Sequence, residues 1–139
     1  MKVKEIMTPD IVFAEPTMTL KEAAQLMQNR DIGVLPVRAK PNGLMGIITD
    51  RDITCRAVAA GLDPSTATVK QAMSQNVEFC AEDENVEDAV RQMEKKQIRR
   101  LPVRNKKDQV VGMLAMADIS RRVPHSMSGE LIESMSEER

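Results

Sequence analysis

Behind Thr19-Leu20-Lys21-Glu22, apolar residues recur at helical spacing: Leu20, Ala23, Ala24 and Met27. That tetrapeptide reads as a capping box, with Thr19 at the N-cap and Glu22 reaching back to it. Asn85-Val86-Glu87-Asp88 is a weaker twin, and Val86, Ala89, Val90 and Met93 follow it at the same spacing. The pattern predicts two helices, each with one apolar face. A short apolar run comes next in each case, at 32–37 and 98–103, and its internal proline suits the edge or start of a strand. A turn is expected at Lys40-Pro41-Asn42-Gly43 and at Asn105-Lys106-Lys107-Asp108. A second strand then runs through 44–48 or 110–114 and leads into a helix opening at 50–53 or 116–119. The unit is β-α-β-β-α, and it occurs twice.

The two occurrences are copies. Shifted by 66 positions, residues 3–53 fall on 69–119 without a gap, and fifteen of the 51 pairs are identical. Among them are Met7/Met73, Phe13/Phe79, Pro36/Pro102, Gly46/Gly112 and Asp52/Asp118. Typical residue usage would give roughly three matches. One such unit is too small to close its own core, so two copies packed sheet to sheet are expected, an α+β architecture. The chain divides into a first repeat at 1–62, a linker at 63–68 with Gly61 ending the preceding helix, a second repeat at 69–123 and a tail at 124–139. Residues 128–132 offer a start for a short tail helix.

Composition narrows the function. The formal charge of -1 gives no field that would draw in nucleic acid or an anionic membrane. Two Phe, no Tyr and no Trp leave little for bases to stack on, so nucleic acid is not an expected partner. Eleven Met fill the core volume that aromatics would otherwise take. Cys55 and Cys80 have neither a disulfide framework nor metal-ligand spacing, so no metal is expected. No apolar run is long enough to span a membrane, and the start lacks a signal-peptide core, which points to the cytoplasm. The single histidine, His125, has no nucleophile or base partner in sequence, and neither a phosphate loop nor a dinucleotide turn is present. An enzyme is not expected, and no catalytic residue is assigned.

Met7-Thr8-Pro9, then Gly33-Val34-Leu35-Pro36-Val37, then Gly46-Ile47-Ile48-Thr49-Asp50-Arg51-Asp52-Ile53 strongly resemble the cystathionine-β-synthase (CBS) repeat. The second copy answers with Met73-Ser74, Arg100-Leu101-Pro102-Val103 and the stretch from Gly112 to Ile119. The resemblance covers residues 3–123 and implies a Bateman module: two repeats in pseudo-twofold contact, with two clefts between their sheets. Relatives commonly bind AMP, ADP or ATP there, or sometimes NAD or S-adenosylmethionine. They often dimerise into a disc, and the apolar helix at 53–62 fits a homodimer here. No cofactor is required. The expected ligand is a regulatory adenine nucleotide, and any output would pass to a separate protein partner.

In the family, an Asp in the first turn of the last helix accepts hydrogen bonds from the ribose hydroxyls, helped by a Thr or Ser three positions earlier. A carboxylate can take both hydroxyls of a cis-diol through charge-assisted bonds. Thr49 and Asp52 match fully, whereas the second copy keeps Asp118 but has Ala115 in place of the hydroxyl. The Asp52 cleft is therefore expected to bind more tightly, since a lost hydrogen bond costs about 0.5–1.5 kcal/mol. Carried over by the same resemblance, the adenine slot comprises Thr8, Ile11, Ile32, Gly33 and Val34 in the first copy, and Ser74, Val77 and Ile98 in the second. Arg99 and Arg100 stand where relatives hold phosphate, with Arg51 and Arg121 as further candidates, a guanidinium fork being suited to phosphate oxygens. The competing reading is a dimer of this fold whose clefts hold no ligand and whose surface binds a partner.

Overall fold

Thr19 caps the first long helix as its sequence predicts. In the computed structural model its hydroxyl accepts the Glu22 N–H at 3.1 Å, and the Glu22 carboxylate accepts the Thr19 N–H at 3.3 Å. The structure describes residues 1–39 and 43–122. Positions 40–42 of the turn expected at 40–43, the tail at 124–139 and His125 lie outside the described residues.

Two compact units emerge. One holds residues 12–77. Its elements are α1 (Leu20–Arg30), β1 (Val34–Ala39), β2 (Gly43–Thr49), α2 (Asp50–Asp52), which continues as a π-helical stretch at Ile53–Val58, and α3 (Val69–Ala72). β1 and β2 are antiparallel, with Pro36 opposite Ile47 and Val37 opposite Gly46. The core of this half is apolar, built from Leu20, Ala23 and Met27 of α1 against Leu35, Val37 and Ile48 of the strands. Asp31 ends α1 in the left-handed region at φ 54°, and Gln97 ends the matching helix at φ 58°.

The other unit joins residues 1–11 to 78–122. A 3-10 turn at Val3–Glu5 precedes β3 (Cys80–Ala81), α4 (Val86–Lys96), β4 (Arg100–Arg104), β5 (Val110–Ala115) and α5 (Met116–Arg122). The sheet order is β3-β4-β5, with β3 parallel and β5 antiparallel to β4. Asn85 sits at the N-cap of α4 without a side-chain cap bond, so the second cap is indeed the weaker. Each Phe meets an arginine from the neighbouring strand: Arg38 lies 4.4 Å from the ring centre of Phe13, and Arg104 lies 4.5 Å from that of Phe79.

Two features depart from expectation. Pro102 lies inside β4, the central strand of its sheet, rather than at an edge or start, whereas Pro36 lies inside β1, an edge strand of the two-stranded sheet as expected. The missing N–H is tolerated because the parallel neighbour is so short. In the first half that neighbour is a single bridge at Ala14, whose amide donates to the Pro36 carbonyl at 2.9 Å. The compact units are also out of step with the repeats. Thr8 pairs with Met113 through two backbone bonds of 2.8 and 2.9 Å, and Ser74 pairs with Ile47 at 2.8 and 3.0 Å. The segment that opens each repeat therefore closes the sheet of the other.

Gly46 and Gly112, matched between the two copies, make this possible. A Cβ on Gly46 would stand 2.5 Å from the Ser74 carbonyl oxygen, and one on Gly112 would stand 2.4 Å from the Met7 sulfur. Both strands need a bare backbone where the crossing segment lies against them.

Candidate functional site

At the junction of β2 and α2, Thr49 and Asp52 form a reciprocal capping box. The Thr49 hydroxyl accepts the Asp52 N–H at 3.0 Å, and Asp52 Oδ2 accepts the Thr49 N–H at 3.0 Å. One carboxylate oxygen is thus committed to holding the helix start. The other, Oδ1, receives the Ser74 hydroxyl at 3.3 Å and lies 3.8 Å from Arg56 Nε. Arg56 Nη1 also donates to the Met73 carbonyl at 3.2 Å, which ties the crossing segment to the same helix.

The second half repeats this arrangement with one piece missing. Ala115 N–H donates to Asp118 Oδ2 at 3.0 Å, but residue 115 has no hydroxyl to accept in return. Thr8 Oγ1 lies 3.5 Å from Asp118 Oδ1, and Arg121 Nη2 lies 3.3 Å from it. Arg121 Nε donates to the Ala117 carbonyl at 3.2 Å. Among the described residues Asp118 is the buried charged side chain, at 4% exposure. A carboxylate can be buried only with such partners around it. The arginine side chains are exposed, at 55% for Arg56 and 72% for Arg121. Ion pairs of that kind contribute about 0–1 kcal/mol.

The strand beside each helix start is fixed by backbone bonds. Asp50 N–H donates to Gly33 O at 3.0 Å, and Val34 stands opposite Thr49. In the other half Met116 N–H donates to Arg99 O at 2.9 Å, and Arg100 stands opposite Ala115. Arg99 and Arg100 are therefore next to the Asp118 helix start, at the positions that Gly33 and Val34 fill beside Asp52. Both are exposed, as is Arg51 on α2, and among the described residues their guanidiniums hold no ion pair. Ile32 and Ile98 are partly buried against the cores of their own halves.

The grouping read from sequence needs one correction. Thr8 and Ile11 belong to the half that holds Asp118 and Ile98, while Ser74 and Val77 belong with Asp52, Thr49, Ile32, Gly33 and Val34. The repeat-by-repeat assignment had them reversed, because the Met-Thr and Met-Ser segments cross to the opposite sheet. Arg56 was missed altogether. Its signal was a basic residue four positions after an acidic one on a helix, where side chains meet.

No group of three or more His, Cys, Asp or Glu among the described residues is placed to hold a metal ion. Cys80 is buried in the core, which pushes its thiol up to about 12, whereas Cys55 is exposed. No helix of the described residues is long and apolar enough to cross a membrane.

Comparison with known proteins agrees with this architecture. The family model for the CBS domain matches residues 3–57 and again 69–125. Hypoxic response protein 1 of Mycobacterium tuberculosis is 33% identical over 132 residues, covering 95% of this chain and 92% of that protein. A crystal structure of Hypoxic Response Protein I with two coordinated zinc ions superposes with a TM-score of 0.80 at 35% identity, covering 89% of this chain and all of the other. The CBS domain pair of protein MJ0100, in complex with 5-methylthioadenosine and S-adenosyl-L-methionine, gives a TM-score of 0.79 at 31% identity, covering 94% and 98% of the two chains. Two copies of one α+β unit, each with an acidic residue at the start of its closing helix, and two matches to one family model lead to a single assignment: this chain belongs to the CBS-domain family, as a tandem pair of repeats.

Proposed function

We propose that this CBS pair is a regulatory module that binds adenine nucleotides at Asp52 and Asp118 and passes the signal to a separate protein. Proteins built on such pairs are regulatory ligand-binding modules, and the pair of MJ0100 binds two adenosyl compounds. The observation that carries the reading is the duplicated carboxylate. Each uses Oδ2 to hold a helix start and keeps Oδ1 on side-chain partners that a sugar hydroxyl can replace. A ribose diol meeting Oδ1 would gain charge-assisted hydrogen bonds there.

Ile32, Gly33, Val34 and Val77 would flank the base in one half, with Ile11 and Ile98 in the other. Arg99 and Arg100, beside the Asp118 helix start, suit a phosphate chain. Arg51 and Arg121 are further candidates on the helices. The ligand is an AMP, ADP or ATP, with NAD and S-adenosylmethionine as the alternatives to be tested. The helix expected at 53–62 ends at Val58, and the exposed Val58 at its end and Leu62 beyond it, 60% and 37% accessible, form an apolar surface that suits a homodimer. The role is regulatory and cytoplasmic, without catalysis.

A thermal-shift screen of AMP, ADP, ATP, NAD and S-adenosylmethionine tests this directly. A ligand at 100 times its dissociation constant stabilises by about 2.7 kcal/mol. At least one compound should raise the melting temperature of the natural chain, and Asp52→Asn together with Asp118→Asn should abolish the rise. If none of the five shifts the transition, the protein is instead a ligand-free interaction module.

A further inference from the structure

We infer that Arg56 and Arg121 select the charge of the ligand, by occupying the carboxylate oxygen that the sugar must take and moving to the ligand's phosphate when displaced. This rests on the proposed nucleotide sites and adds to them a specificity device.

In each half the carboxylate has one oxygen free of the backbone, Oδ1, and an arginine of the next helical turn stands at that oxygen. The two arginines are not the same position of the repeat. Arg121 falls on Cys55 when the copies are superposed by sequence, while Arg56 lies four residues after its aspartate and Arg121 three. Arg56 itself falls on Arg122, so both copies carry an arginine four residues after the aspartate, and it is the arginine one position earlier, Arg121, that pairs with Asp118. Each guanidinium is also anchored at a second point, Arg56 on the Met73 carbonyl and Arg121 on the Ala117 carbonyl. Their side chains nonetheless remain more than half exposed, free to swing without disturbing a core.

Ligand entry is then an exchange. A sugar hydroxyl that donates to Oδ1 competes with the guanidinium, which has only N–H donors and offers nothing to a hydroxyl proton. A neutral nucleoside breaks the ion pair and leaves the arginine without an anion. A sulfonium compound brings a positive charge toward it. A nucleotide supplies a phosphate for the displaced guanidinium, so the broken pair is replaced by a bidentate one. Both sites should therefore favour phosphorylated adenosine over adenosine and over S-adenosylmethionine.

The test is titration calorimetry of adenosine, AMP and S-adenosylmethionine against the natural chain, Arg56→Gln in an Asp118→Asn background, and Arg121→Gln in an Asp52→Asn background. Gln keeps a donor for the backbone carbonyls but carries no charge. The expected result is a fall of about tenfold or more in the AMP-to-adenosine affinity ratio on loss of either arginine, with adenosine and S-adenosylmethionine binding as well as before or better. A merely structural role would weaken all three ligands together. An unchanged ratio, or a parallel loss, overturns the inference while leaving the nucleotide sites standing. Failure of all three to bind any of these proteins overturns the sites themselves, and the selection with them.

Discussion

Ser74 donates its hydroxyl to Asp52 across 22 positions of sequence, although Ser74 opens the second repeat and Asp52 closes the first. Thr8 does the same for Asp118 across 110 positions. The hydroxyl that faces each carboxylate thus comes from the other copy. Thr8→Val should weaken nucleotide binding at the Asp118 site, and Ser74→Ala should weaken it at the Asp52 site. Each loss should be about a few-fold to tenfold, the worth of one hydrogen bond of about 0.5–1.5 kcal/mol. Calorimetry with one aspartate replaced by Asn isolates each site; if Thr8→Val affected only the Asp52 site, the crossed pairing would be wrong.

The glycines that admit the crossing segments should not be equally sensitive. On Gly46 an added methyl meets backbone, the Ser74 carbonyl at 2.5 Å. On Gly112 it first meets the flexible Met7 side chain, whose sulfur is at 2.4 Å, with the Thr8 carbonyl at 3.0 Å. A side chain can turn away; a paired backbone cannot without giving up its hydrogen bonds. Gly46→Ala should cost about 1–3 kcal/mol, as overpacking does, and Gly112→Ala less. Urea unfolding of the two variants, compared at the midpoint with unchanged slope, gives the order.

Most of the fold could be read from local pattern. Thr19, Glu22 and the apolar spacing behind them define α1 without help from tertiary structure, and the same spacing defines α4. The register of the repeats placed both aspartates at helix starts. What the pattern could not carry was the partner of each aspartate, because Met7-Thr8 and Met73-Ser74 pair with strands far away in sequence, and two similar copies leave the choice of partner undetermined. Periodicity also says nothing about which short parallel neighbour a proline-bearing strand receives, so Pro102, like Pro36, was expected at an edge. Arg56 escaped because a basic residue on an exposed helix is ordinary until its neighbour is known to be a half-buried carboxylate.

Glu84 gives the protein a pH dependence away from the candidate sites. Burial pushes its carboxyl above the usual 4.5, the negative charge of Asp88 adds to this, and the backbone of Ala81 opposes it. One of its oxygens, Oε2, is buried without a hydrogen-bond partner. A carboxyl whose pKa is raised in the folded state contributes stability below its unfolded pKa, and that contribution is lost as pH rises through the folded value. Glu84 therefore favours the native state below about pH 4.5 and disfavours it at neutral pH. Glu84→Gln should raise the urea midpoint at neutral pH, with the gain shrinking as the pH is lowered toward 4.5. A gain that stayed constant across that range would rule out ionisation as its cause.

Ala115 is where the two halves differ most simply. At the same place Thr49 accepts the Asp52 N–H, whereas the Asp118 N–H has no hydroxyl to meet, although Asp118 Oδ2 already accepts from Ala115 N–H. Ala115→Thr should complete the second capping box. An N-cap hydroxyl is worth about 1 kcal/mol, so the variant should melt higher than the natural chain. It should also bring the Asp118 site closer to the Asp52 site in nucleotide affinity, because a carboxylate held from both sides is better fixed for a sugar. The reverse change, Thr49→Ala, should cost a similar amount and lower affinity at Asp52 alone. Stabilisation without any change in affinity would mean that the hydroxyl serves the helix and not the ligand. In that event Thr49 would be a cap, and the expected advantage of the Asp52 site would need another source.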